Sequence, residues 1–152
     1  MTRGSREWTL WIVAAAAALH ATEELLGGWQ AWARETLGIA MPTGIFVVVN
    51  LLLVALAVRQ ATVGWRDPVL SLVVPAATLV NGILFHIVPT LLQGRPVPGV
   101  YTAALLYLPF SSGALIGAAR DGVPRPSIAV GAIAGTCMML GMVLAARLLT
   151  GT

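Results

Sequence analysis

Lysine is missing from the 152-residue chain, cysteine occurs once, and only 10% of the residues are charged. The lone Cys137 excludes an intrachain disulfide. Its setting, Thr136-Cys137-Met138-Met139-Leu140, is that of a small packing residue. The shortage of charge excludes an ordinary soluble surface, because soluble domains carry about 25% charged residues. With 58% hydrophobic residues the chain falls in the membrane class. A glycine-rich phosphate loop, a Cys-x-x-Cys pair and a Gly-x-Ser-x-Gly elbow are also missing, which argues against soluble nucleotide chemistry. The cations are nine arginines against six acids, a formal charge of +3. They stand singly at the ends of apolar runs, without a basic stripe or interleaved aromatics. No nucleic-acid partner is expected, and their role is to set topology.

What the chain has in quantity is apolar length. Five runs, near 8–27, 43–63, 68–93, 99–119 and 127–149, are long enough to cross a hydrocarbon core that takes about 20 helical residues. Breaker signals separate them: Gly27-Gly28, Pro42, Asp67-Pro68, the segment Gly94 to Gly99, and Asp121 to Pro126. Backbone this apolar must satisfy itself internally, so the expected fold is all-α, an integral membrane five-helix bundle in one domain, 1–152. Arg3, Arg6 and the alanine-rich run after them imitate a secretory leader, but the segment is expected to stay as a helix.

Five spans put the termini on opposite sides. Arg3, Arg6, Arg59, Arg66, Arg120 and Arg125 share one side, and Arg34, Arg95 and Arg147 the other. That asymmetry predicts a cytoplasmic N-terminus and a C-terminus outside. Residues 28–41, with Trp29, Trp32 and Leu37, suit a short amphipathic helix in the outer interface. Gly113-xxx-Gly117 and Gly131-xxx-Gly135 are expected to pack spans four and five together, with a homodimer seam as the alternative use. Pro75, Pro89 and Pro109 each remove a donor and free the carbonyls of Ser71, Phe85 and Leu105.

Against this background one stretch stands out. His20-Ala21-Thr22-Glu23-Glu24 places an imidazole and two adjacent carboxylates inside the first span. An ionised carboxylate near a bilayer centre costs about 2.5–3.5 kcal/mol on insertion scales, so these groups need a partner, a proton, a metal or water. On a helix His20, Glu23 and Glu24 fall within about 100° of arc. At ~1.5 Å rise per residue, His20 lies roughly 20 Å into its span and Glu24 roughly 26 Å. The same count puts Asn50, Asn81, His86 and Tyr101 in that layer, in the outer half of the bilayer. Asn81 and His86 are five apart, roughly 140° around an ideal helix, so they share a face only if Pro89 distorts the turn.

His20, Glu23 and Glu24, then Asn81 and His86, then Pro98-Gly99-Val100-Tyr101-Thr102, resemble the HXXEE-domain family of small prokaryotic membrane proteins over roughly residues 10–115. The resemblance implies an intramembrane site on these residues in a prokaryotic cytoplasmic membrane, and supplies no reaction. In that family the Asn stands one turn before the His; here the gap is one residue longer.

Several chemistries fit the residues. His20, Glu24 and His86 match the way bundle metal sites are built, and suit Zn or non-haem Fe acting on a lipid-soluble, isoprenoid- or lipid-like substrate. Glu23 is then the second carboxylate, with Asn50, Asn81 and Tyr101 as supporting substrate-side groups. Without metal, repulsion between adjacent carboxylates would keep one protonated and give acid–base catalysis by His20, Glu23, Glu24 and His86. A proton-coupled carrier or a hydrophobic-ligand binder could use the same groups. A buried polar network that only fixes helix packing is the plainest alternative. It is disfavoured because interhelical hydrogen bonds return only about 0.6 kcal/mol each.

Overall fold

The computed structural model describes residues 6–151, so Arg3 of the topology count lies outside the described residues. Those residues form an integral membrane bundle of five spanning helices and one short helix, with no strand among them. The spans are α1 (Trp8–Leu26), α3 (Thr43–Val63), α4 (Pro68–Gln93), α5 (Val100–Arg120) and α6 (Arg125–Thr150). Between α1 and α3 runs α2 (Trp29–Leu37).

The first span packs on both α3 and α5. Its alanine run explains why: Ala14, Ala16 and Ala17 are buried and small enough to let neighbouring backbones close in. Gly27 and Gly28 end it, and Gly28 and Gly38, both in the left-handed region, bound α2. Trp32 and Ala33 of α2, with Ile39 just beyond it, pack against Val97 and Val100, so α2 lies across the end of the bundle rather than through it.

The glycine pairs find different partners from those expected. A Cβ on Gly131 would sit 2.8 Å from the Val69 carbonyl oxygen, and one on Gly135 would overlap the Val73 carbonyl oxygen. That pair therefore packs α6 onto α4. Gly117 faces Arg6 and Gly113 faces Thr9, both at the start of the first span. The expected α5–α6 seam is not how these glycines are used, because each pair packs most closely against an earlier segment.

Two segments are π-helical: Gly82–Ile87 in α4 and Ala103–Ser111 in α5. Pro89 stands just beyond the first and Pro109 inside the second. Proline cannot make the usual bond to the carbonyl four residues back, and a π turn shifts pairing to five residues. Thus Val88 N–H bonds the Ile83 carbonyl. The ideal-helix angle between Asn81 and His86 does not apply across this turn.

The end of the bundle bearing Arg6 is clasped by polar contacts. Arg6 pairs with Asp121 at 2.8 Å, Trp65 Nε1–H donates to the same carboxylate at 3.0 Å, and Trp65 N–H donates to Glu7 at 2.6 Å. Burial alone would raise the Asp121 carboxyl, but the hydrogen bonds of Trp65 and Arg6 and the guanidinium charge hold it below its usual value of 3.8. The clasp ties the start of α1 to the α3–α4 and α5–α6 turns.

Candidate metal centre

Three side chains meet at the opposite end of the bundle. His20 and Glu24 stand one turn apart on α1, and the π-helical turn of α4 swings His86 onto them. His20 Nε2 lies 3.2 Å from His86 Nε2, and Glu24 Oε1 lies 3.5 Å from the first and 3.4 Å from the second. All three residues are buried.

The outer partners fix which ring nitrogen carries hydrogen. His86 Nδ1 is 2.7 Å from the Pro98 carbonyl, which only accepts, so Nδ1–H donates and the neutral ring has its lone pair on Nε2. His20 Nδ1 is 2.8 Å from Thr102 Oγ1. The Thr102 hydroxyl gives its hydrogen to Glu23 Oε2 at 2.6 Å, so it accepts from His20 Nδ1–H. In their neutral forms both imidazoles would then aim Nε2 lone pairs at each other and at a carboxylate oxygen. Three acceptors at this distance repel, and a cation or proton among them reverses the sign. Zinc–ligand bonds of about 2.0–2.1 Å set tetrahedral ligand separations of about 3.3–3.4 Å, close to the triangle observed. This is also the one cluster of three or more His, Cys, Asp or Glu among the described residues that could hold a metal.

Glu23 turns elsewhere. Its carboxylate accepts from the backbone N–H groups of Tyr101, at 3.1 Å, and Thr102, at 2.7 Å, in the first turn of α5. Gly99 precedes that helix and has no side chain with which to cap it, so a carboxylate from α1 does so instead. Adjacent in sequence, Glu23 and Glu24 diverge in space. The mutual repulsion expected to keep one of them protonated loses its geometric basis.

Beside the triad lies a cavity of about 450 Å³, touched by His20 and Glu24 and walled mostly by apolar residues of α3, α4, α6 and α2. The third and sixth helices barely meet, so the cavity lies between them. Tyr107 closes its floor, with its ring 4.4 Å from that of His20.

A family model described as a protein of unknown function with HXXEE motif matches residues 11–114. The chain belongs to the HXXEE family. No curated protein and no solved structure matches it. In this HXXEE chain the motif letters divide their labour: His20 and Glu24 join the triad, while Glu23 caps α5 and holds Thr102 against His20.

The remaining residues singled out in the sequence stand further off. Asn50 donates to the Phe46 carbonyl of its own helix at 3.0 Å, and Asn81 reaches only the Met139 sulfur at 3.7 Å. Both line the cavity and neither touches the triad. The Tyr101 side chain is 62% exposed, and only its backbone N–H reaches Glu23. Three HXXEE-site residues were not singled out for these roles. The signal for Thr102 is its place as the first aliphatic hydroxyl after the Pro98-Gly99 turn. Gly99, at φ +90°, is so close that a Cβ would lie 2.7 Å from His86 Cε1 and 2.8 Å from His20 Cε1. Tyr107 carried no signal in a run of apolar residues.

Proposed function

We propose that the chain is an intramembrane metalloenzyme that uses a His20–Glu24–His86 zinc centre to activate water toward a lipid-soluble substrate. The observation that carries this reading is the convergence of two Nε2 lone pairs and one carboxylate oxygen, with both Nδ1–H groups already committed. Metal-binding histidines usually have the other ring N–H held by an acceptor in this way, here the Pro98 carbonyl for His86 and the Glu23-bound Thr102 hydroxyl for His20. The near-tetrahedral spacing favours zinc over iron, which prefers octahedral surroundings with tighter ligand angles. His20, Glu24 and His86 would hold the metal with three protein ligands, and a zinc there would supply a water of pKa about 7. In a hydrolysis the hydroxyl of water would join the electrophilic carbon of the substrate as the bond from that carbon to the leaving group breaks, and the other proton of the water would go to the leaving group.

The adjoining cavity supports a hydrophobic substrate. Its volume lies within the roughly 300–1,000 Å³ range of small-molecule sites, and its walls are predominantly apolar. A position between α3 and α6 suits lateral entry from the bilayer. In this reading the N-terminus is cytoplasmic and the site lies toward the outer leaflet of a prokaryotic cytoplasmic membrane, as the arginine asymmetry favours.

Elemental analysis of the purified protein, with Glu24→Ala beside it, tests the metal. One zinc per chain, lost in the variant, is expected; a zinc-free wild type refutes the reading. Incubation of the detergent-solubilised protein with a lipid extract, read by mass spectrometry, tests turnover. Chemical change that needs Glu24 is expected. Substrate movement in sealed vesicles, with no chemical change in detergent, would instead identify a carrier.

A further inference from the structure

A second depression lies on the far side of the Gly27–Pro98 contact from the metal triad. It is a crevice of about 600 Å³ at the end of the bundle, walled by the close of α1, by α2, and by the turn between α4 and α5. Glu23 lines it, but that carboxylate already accepts three hydrogen bonds. Four other polar groups in its wall have unspent capacity. Arg95 and Glu35 are exposed there, and neither forms an ion pair with any described residue. Trp32 is only 7% exposed, and its indole N–H has no acceptor. Gln93 Oε1 is buried without a donor.

The four form two complementary pairs: a cation and a neutral donor, an anion and a neutral acceptor. A buried donor or acceptor without a partner costs about 1–3 kcal/mol, a cost that falls on Trp32 and Gln93, while the exposed Arg95 and Glu35 add one charge of each sign to the same wall. A simple anion would leave Gln93 without a donor and make no use of Glu35, and a simple cation would leave Trp32 without an acceptor and make no use of Arg95. A zwitterion satisfies all of them. The crevice sits where α2, with Trp29 and Trp32, lies across the bundle end, the level at which interfacial tryptophans and lipid headgroups meet.

We propose that this crevice binds the phosphoethanolamine headgroup of a membrane phospholipid. The phosphate would accept from Arg95 and Trp32, and the ammonium would donate to Glu35 and Gln93. The proposal does not depend on the metal reading, since none of its four residues belongs to the triad.

Native mass spectrometry of the full chain, released from a non-ionic detergent, tests it with phosphatidylethanolamine and phosphatidylglycerol of identical acyl chains. The wild type should retain phosphatidylethanolamine about fivefold more tightly than phosphatidylglycerol, the scale of one exposed ion pair. Arg95→Gln should weaken both lipids. Glu35→Gln should weaken phosphatidylethanolamine, strengthen phosphatidylglycerol and erase the preference. Equal retention of the two lipids by the wild type would overturn the proposal, as would variants that bind like the wild type. If free phosphoethanolamine binds as tightly as the lipid, the occupant is a solute and the lipid assignment fails. Zinc is measured in the same samples: a zinc-free protein that still selects phosphatidylethanolamine refutes only the metal centre.

Discussion

Gly99→Ala is the substitution from which most can be learned. At φ +90° a residue with a Cβ pays about 1–2 kcal/mol for a left-handed backbone. Its methyl would also stand 2.7 Å from His86 Cε1 and 2.8 Å from His20 Cε1, distances at which something must move. The backbone there is held by Glu23 on Tyr101 and Thr102, and by His86 on Pro98. The imidazoles must therefore yield, at an overpacking cost of about 1–3 kcal/mol. Gly94→Ala supplies the control: φ is +64°, and nothing lies within 4 Å of the added methyl. Both variants should lose the backbone contribution in equilibrium unfolding in detergent. Only Gly99→Ala should lose about 1–3 kcal/mol more and, on the proposed metal reading, release zinc. Equal stability of the two variants, with zinc retained in both, would refute the packing of Gly99 against the histidines.

Other outcomes follow from the same contacts. Thr102→Val removes the acceptor of His20 Nδ1–H and should weaken zinc binding about 10- to 100-fold, read by competition with a chelator, while Thr102→Ser restores it. Glu23→Gln removes the charge capping α5 and should cost about 0.5–2 kcal/mol in unfolding with a smaller loss of zinc affinity. Tyr101→Phe should change neither quantity, because only the backbone of Tyr101 is used. Asp121 has a lowered carboxyl, so its contribution is present above the unfolded value of 3.8 and is lost as pH falls through the lower folded value. Asp121→Asn should flatten the stability–pH curve in that acidic window and leave it unaltered in shape near neutrality.

The five-span fold was legible because apolar length and breaker residues act locally. Asp67-Pro68 favours a helix start through local contacts, and Asp67 Oδ1 accepts from Leu70 N–H as an N-cap does. His20 and Glu24 were legible as a pair because one turn of helix joins them. His86 could be placed by depth, but its approach depends on a π turn that helix periodicity does not encode. The opposite fates of Glu23 and Glu24 were hidden for a different reason. They are set by the N-terminus of α5, nearly 80 residues away, whose bare N–H groups take one carboxylate and leave the other to the histidines. Gly131 and Gly135 show the same limit: their spacing announces close packing without naming the partner, and α4 rather than α5 takes it.

X-ray absorption at the zinc edge of the purified protein tests the central claim most directly. The account predicts one zinc per chain, with two imidazole nitrogens and a carboxylate oxygen at about 2.0–2.2 Å, and a fourth light ligand from water. A sulfur ligand, a six-coordinate shell or a spectrum unchanged in His86→Ala would contradict it.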